Sequence, residues 1–308
     1  PKVKSTAQIL YIIYFTMTAI EFIFLLLGRM PVFDAINTSF GTAGTGGFGI
    51  KNDSMASYSP YIKWVVTIFM ILFGVNFNAY YLILFKQFKK AIKMEEVKCY
   101  FMIILASTLV IFINIVKTYT NVFKAFTDAA FQVGSIITTT GYSTTDFDLW
   151  PGTSKTILVM LMFVGACAGS TGGGIKVSRF LIMFKTVVKE LRSYIHPKSI
   201  QKIKMDDKPV PHEVVRSVNV YGITFITIFA ASIFLLSLDG KDLITNFTAV
   251  ATTLNNIGPG LNLVGPTRNF DLFSPFAKFV LMFDMLAGRL ELFPLLILFH
   301  PTIWKEHK

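Results

Sequence analysis

Three 15-residue stretches decide how this chain folds: DAINTSFGTAGTGGF at Asp34–Phe48, DAAFQVGSIITTTGY at Asp128–Tyr142 and TNFTAVATTLNNIGP at Thr245–Pro259. They align without a gap on Gly47, Gly141 and Gly258, and the first two begin Asp-Ala and end in glycine plus an aromatic. Each is too short and too polar to cross a bilayer, which takes about 20 apolar residues. Each lies between two long apolar runs. The pattern is an internal repeat: helix, re-entrant loop, helix, used three times. Non-helical backbone at membrane depth survives only where protein buries it or where it lines water.

Outward from these stretches, apolar runs fall near Ala7–Leu27, Ile62–Phe85, Cys99–Val116, Ile157–Ala168, Phe180–Val188, Val218–Leu238 and Phe276–Phe299. The fourth and fifth are short and flank the small-residue run Gly165–Gly174, so they read as one helix broken in the middle. Six spans result. The expected fold is an all-α membrane protein of repeated helix–pore loop–helix units around a central ion pore. The expected units are residues 1–86, 87–195 and 214–308, with a cytoplasmic hairpin or linker at 196–213. Of 308 residues, 53% are hydrophobic and only 15% are charged, against about a quarter in soluble domains. A soluble enzyme, a disordered tail and a secreted disulfide scaffold are thereby disfavoured. Cys99 and Cys167 imply no disulfide framework.

The net charge of +11 sorts by topology. Residues 1–6, 86–98, 176–216 and 301–308 hold 19 of the 29 Lys/Arg but 7 of the 18 Asp/Glu. Positive charge collects on the cytoplasmic side. These segments are therefore expected on the cytoplasmic side of a bacterial inner membrane, with the loops dipping in from outside, and the charge gives no reason to invoke nucleic acid. The first apolar run is too long for a cleavable signal and leads straight into the fold.

The loop ends read Thr45-Gly46-Gly47-Phe48, Thr139-Thr140-Gly141-Tyr142 and Asn256-Ile257-Gly258-Pro259. They compare with the Thr-Val-Gly-Tyr-Gly filter, whose backbone carbonyls replace an ion's water shell. Glycine lets the backbone adopt dihedrals that other residues resist, and a threonine before it can add a hydroxyl ligand. No acid stands at a loop tip, which argues against a divalent cation. Short helices running inward would aim their C-terminal ends at a cation near the membrane centre. The candidate filter is thus Thr45, Gly46, Gly47, Thr139, Thr140, Gly141, Asn256, Ile257 and Gly258. One such motif is a weak signal; three at one register are not explained by packing.

A second feature is GACAGSTGGGIK at Gly165–Lys176. From Gly169 it approaches a phosphate-binding loop, but Ile175 displaces the lysine that should follow Gly174. A small-residue packing seam accounts for Gly165–Gly169. It accounts less well for Gly172, Gly173 and Gly174, which favour unwinding. The preferred reading is a flexible, uncharged plug just inside the filter, including Ser170 and Thr171. The last apolar run holds Asp284, Arg289 and Glu291. Ionised groups there face an aqueous path or a partner, so Arg289 either lines the pore or pairs with one of the two acids. Glu21, Asn76 and Asn78 are expected as buried hydrogen-bonding groups. The four histidines show no metal spacing and no catalytic constellation is visible. Three sequons (at Asn37, Asn52 and Asn246) match by a pattern common by chance. The stretch around Asp206-Asp207 reads as a small hairpin on a basic face, able to meet an acidic partner or anionic lipid.

These segments, with FDAINTSFGTAGTGGF, GVNFNAYYLILF (Gly74–Phe85), SIITTTGYSTTDFDLWP (Ser135–Pro151), TLNNIGPGL (Thr253–Leu261) and AGRLELFPLLILF (Ala287–Phe299) in order, resemble the TrkH branch of the Trk/Ktr/HKT potassium-transporter superfamily over nearly the whole chain. The resemblance implies four pore units, of which the second, third and fourth are present and the first is missing. It implies that Pro1 is not the natural start, that FHPTIWKEHK is a natural end, and that this fragment alone does not conduct. It implies filter glycines at Gly47, Gly141 and Gly258, an intramembrane gate at Gly165–Lys176, and an arginine facing that gate at Arg289. It also implies a homodimer on a cytosolic TrkA-type subunit that binds nucleotides, with no cofactor on this chain and K⁺ as transported ion. Two other classes compete. A secondary transporter of a small solute would use inverted repeats, whereas these run in one orientation. A membrane enzyme would need paired acids, a histidine cluster or a nucleophile motif.

Overall fold

The computed structural model describes residues 2–196 and 201–303. Pro1, part of the expected linker (Pro197–Ile200) and the terminal Trp304–Lys308 lie outside the described residues.

The first unit comprises α1 (Lys2–Leu27), α2 (Val32–Ala43), α3 (Pro60–Phe73) and α4 (Phe77–Leu84); α5 (Phe88–Lys93) leads out of it. The second comprises α6 (Glu95–Ile115), α7 (Val122–Ile137), α8 (Gly152–Phe163) and α9 (Val177–Ile195). A hairpin, β1 (Lys204–Met205) with β2 (Lys208–Pro209), follows. The third comprises α10 (His212–Ser237), α11 (Leu243–Leu254), α12 (Pro275–Arg289) and α13 (Phe293–Leu296). The fold is an all-α membrane protein of pore-loop repeats. Each unit opens with a long outer helix able to span: Ala7–Leu27, Glu95–Thr118 and His212–Ser237. At 1.5 Å per residue the 26 residues of α1 reach about 39 Å, enough for a hydrocarbon core of about 30 Å.

Local sequence explains the element starts. Ser59-Pro60 opens α3 and Ser274-Pro275 opens α12, each serine accepting a backbone N–H of the first turn. Proline suits the first helical position because its missing N–H would have no partner there. Asn121 caps α7 and Asp242 caps α11 in the same way. Helix α7 is buried at every residue from Thr127 to Ile137 and forms the centre of the molecule.

The inner helix of every unit is interrupted. The sequence marks this only in the second, where α8 and α9 are separated by Val164–Lys176. Ile62–Phe85 is not one span: α3 and α4 meet at 90°. Gly74 lies so close to Tyr100 that a Cβ there would be 2.2 Å from the phenol oxygen. Asn76 then caps α4 by accepting the Asn78 N–H at 2.9 Å. Asn76 is buried as expected, but Asn78 is exposed. Phe276–Phe299 breaks after Arg289, where Glu291 and Leu292 have φ of 59° and 63°.

Candidate functional site

The pore helices α2, α7 and α11 end alike. Thr45, Thr139 and Asn256 follow the last helical turn at φ 49°, 58° and 58°. The next N–H reaches back five residues: Gly46 to Gly41 O at 2.7 Å, Thr140 to Ser135 O at 2.9 Å, Ile257 to Thr252 O at 2.8 Å. These are Schellman endings. One residue further, Gly47, Gly141 and Gly258 take φ of 65°, 89° and 109°. The sequence register is thus also a backbone register.

The loops touch in order. A Cβ on Gly47 would lie 1.9 Å from Thr140 O, and one on Gly141 would lie 1.9 Å from Ile257 O. Glycine is required at both by close approach as well as by φ. At Gly258 a Cβ would meet nothing within 4 Å among the described residues. The second loop is buried between the other two, whose outer edges lie open: Phe48 is 80% exposed. A cleft of about 670 Å³ separates the first loop from the third, lined by Gly46, Phe48, Ile257, Gly258, Met282 and Met285.

Polar contacts fix each loop. Ser135 Oγ donates to Tyr142 O at 2.6 Å, and the Thr140 hydroxyl lies 2.8 Å from that of Thr138. Asn256 Nδ2 donates to Met285 O at 3.1 Å. Outside the membrane-spanning segments, the hydroxyl of Thr245 holds the Asp242 carboxyl below the usual range. Burial and the Asp34 carboxylate, which accepts from Tyr58 at 2.6 Å, push the Tyr58 phenol up.

The Gly165–Lys176 run is non-helical and lies against the inner ends of the loops. It is pinned rather than loose. Gly165 N–H bonds Ile175 O at 2.8 Å, closing the run at its base. Cys167 N–H bonds Gly74 O at 3.0 Å, and Phe77 N–H bonds Gly169 O at 3.2 Å, so the run is stitched to the break between α3 and α4. Gly169 and Gly174 sit at φ 66° and 68°. Ser170 Oγ donates to Cys167 O at 2.6 Å and accepts Gly172 N–H at 3.3 Å. Lys176 is buried and donates to Gly172 O. Thr45 Oγ1 donates to Thr171 O at 2.9 Å, and Gly173 N–H donates to Thr139 Oγ1 at 2.6 Å. The run therefore bonds directly to two of the expected filter residues.

Arg289 makes neither of its alternative ion pairs. Its guanidinium donates to Thr171 O at 3.3 Å and Gly44 O at 3.2 Å. Asp284 accepts from Ser232 at 2.8 Å, and Glu291 pairs with Arg179, which also lies 4.1 Å over the Tyr221 ring. Glu21 is fully buried, as expected.

Sequence reasoning missed Glu96. One of its oxygens accepts Ala168 N–H at 2.6 Å and Ser178 N–H at 3.1 Å; the other accepts Asn76 Nδ2 at 3.1 Å. One carboxylate thus joins α4, the glycine run and α9. The neighbouring Glu95 exchanges hydrogen bonds with Asp206 of the hairpin, at 2.7 and 3.2 Å, and pairs with Lys185. An acid opening an apolar run was the available signal.

Parallel units of spanning helix, inward pore helix, glycine loop and broken inner helix define a repeat-built pore-loop protein of the membrane. The family model TrkH, cation transport protein, matches residues 1–306, and the chain belongs to that family. It is 35% identical over 311 residues to the Trk system potassium uptake protein TrkH of Salmonella typhimurium, covering 99% of this chain and 64% of that protein. It is 36% identical over 316 residues to its counterpart in Vibrio parahaemolyticus, again with 99% and 64% covered. The crystal structure of the potassium transporter TrkH from Vibrio parahaemolyticus superposes with a TM-score of 0.91 at 36% identity, covering 99% of this chain and 66% of that one. The chain thus spans just under two thirds of the length of these relatives.

Proposed function

We propose that the chain supplies three of the four pore units of a Trk-type potassium-uptake protein in the bacterial inner membrane, transporting an ion rather than catalysing a covalent reaction. Backbone carbonyls at 45–47, 139–141 and 256–258 select K⁺, and Gly165–Lys176 with Arg289 gates the path beneath them. The supporting observation is one backbone conformation repeated in three loops that abut glycine to carbonyl. The relatives' names point to the same cargo. A fourth unit occupies the cleft between Phe48 and Gly258. The basic side faces the cytoplasm, where a homodimer of the complete protein meets a nucleotide-binding TrkA-type subunit. Any nucleotide effect belongs to that partner, and this chain holds no cofactor of its own. The full-length gene should rescue growth of a potassium-uptake-deficient bacterium at low K⁺. Gly141→Ser should lower Rb⁺ over Na⁺ uptake per protein molecule that reaches the membrane. No rescue by protein that does reach the membrane would end this reading.

A further inference from the structure

Of the three residues at the inner rim of the loops, Thr45 and Thr139 adopt a conformation that their side chains resist, whereas asparagine at 256 tolerates it. Positive φ is a marked outlier for a β-branched residue, yet Thr45 and Thr139 sit at 49° and 58°. Glycine would end these helices at lower cost. What threonine adds is a hydroxyl, and both hydroxyls bond the glycine run rather than their own loops alone. Thr45 Oγ1 divides its proton between Gly44 O at 2.7 Å and Thr171 O at 2.9 Å. Thr139 Oγ1 gives a lone pair to Gly173 N–H at 2.6 Å. The same run covers the last helical carbonyls. A Cβ on Gly172 would lie 3.1 Å from Thr138 O, one on Gly173 would lie 2.8 Å from Asn255 O, and Gly44 O is taken by Arg289.

Resting on the pore and gate reading above, we propose an inner cation site that exists only when the glycine run withdraws and Arg289, bonded to Thr171 O of that run, leaves Gly44 O with it: the hydroxyls of Thr45 and Thr139 with the carbonyls of Gly44, Thr138 and Asn255. Five neutral oxygens at three helix C-termini suit a singly charged alkali cation, and the absence of a carboxylate from the set disfavours a divalent one. When Gly173 leaves, the Thr139 lone pair it held becomes a ligand position. When Thr171 leaves, the Thr45 hydroxyl turns wholly to Gly44 and presents its own lone pairs outward. Cation and gate compete for the same oxygens. By linkage, a cation that binds only the open form must shift the gate toward opening, by the same factor that gate closure weakens the cation.

The test is hydrogen exchange of the peptide spanning Gly165–Lys176, in the full-length protein reconstituted in liposomes, titrated with Rb⁺ against an impermeant organic cation. Exchange should rise saturably with Rb⁺, by about fivefold or more. The double variant Thr45→Val/Thr139→Val should exchange fast without Rb⁺ and respond to it no further. The double serine variant, which keeps both hydroxyls, should restore the Rb⁺ response. Wild-type exchange that is flat or falls with Rb⁺, while Rb⁺ still crosses the membrane, would overturn the inner site and leave the pore standing. A full Rb⁺ response in the valine variant would also overturn it. Absence of any Rb⁺ flux would instead remove the pore reading itself.

Discussion

Gly47 and Gly141 each stand where a single added carbon would strike a neighbouring carbonyl at 1.9 Å. Neither clash can be relieved by turning a side chain, because the struck atom is backbone. Alanine at Gly141 therefore combines the positive-φ cost, roughly 1–2 kcal/mol, with overpacking of roughly 1–3 kcal/mol. Gly141→Ala in the full-length protein should lower the unfolding midpoint in detergent and reduce Rb⁺ over Na⁺ selection together. Gly152→Ala is the control: it lies in the first turn of α8 with nothing within 4 Å, and should change neither. An unfolding midpoint for Gly141→Ala equal to that control would mean the loops do not abut. The glycine register was legible in the sequence because three gapless copies expose it. The hydroxyl contacts of Thr45 and Thr139 were not, since Thr171 and Gly173 lie on an element whose folded path the residues do not spell out.

Among the elements, the glycine run owes its position to helices far off in sequence. Glu96 on α6 holds Ala168, Ser178 and Asn76 with one carboxylate. Its side chain is only 5% exposed, so its hydrogen bonds are not exchanged cheaply for water. Glu96→Ala would strand two backbone N–H groups, at roughly 1–3 kcal/mol each. Both protein stability and retention of the run should fall, and basal Rb⁺ flux per reconstituted molecule should rise. Reduced flux from a stable Glu96→Ala protein would show that the carboxylate supports packing and not closure. The sequence placed Glu96 on a basic surface stretch because its partners stand 20 to 82 residues away. The break between α3 and α4 was hidden for a related reason. Hydropathy is high on both sides of Gly74–Asn76, and a running average cannot register a 90° turn. The second break was legible because Gly172–Gly174 disfavour a helix by themselves.

At the scale of the whole molecule the three loops form an incomplete ring. The cleft beside Gly258 is lined by Phe48, Met282 and Met285, which are 80%, 59% and 45% exposed. Exposed apolar area of this kind beside a polar loop reads as an unfilled interface. If a fourth unit fills it, cysteines introduced as Phe48→Cys and Met285→Cys should react slowly with a maleimide in the full-length protein and readily in the 308-residue chain, each in a background lacking the native thiols. Equal rates would leave the cleft open to lipid. The repetition of a helix–loop–helix unit was readable from sequence, but the gap was not, because it is a property of how units meet. Those meetings have a hand. The second unit takes Gly47 of the first on its Thr140 carbonyl and sets its own Gly141 against the Ile257 carbonyl of the third, so both seams are head-to-tail contacts, of the kind that closes a circle only if every step turns by the correct angle. Angular error at any seam accumulates and is felt where the circle shuts. Such a circle senses cyclic order and is indifferent to which unit the ribosome makes first.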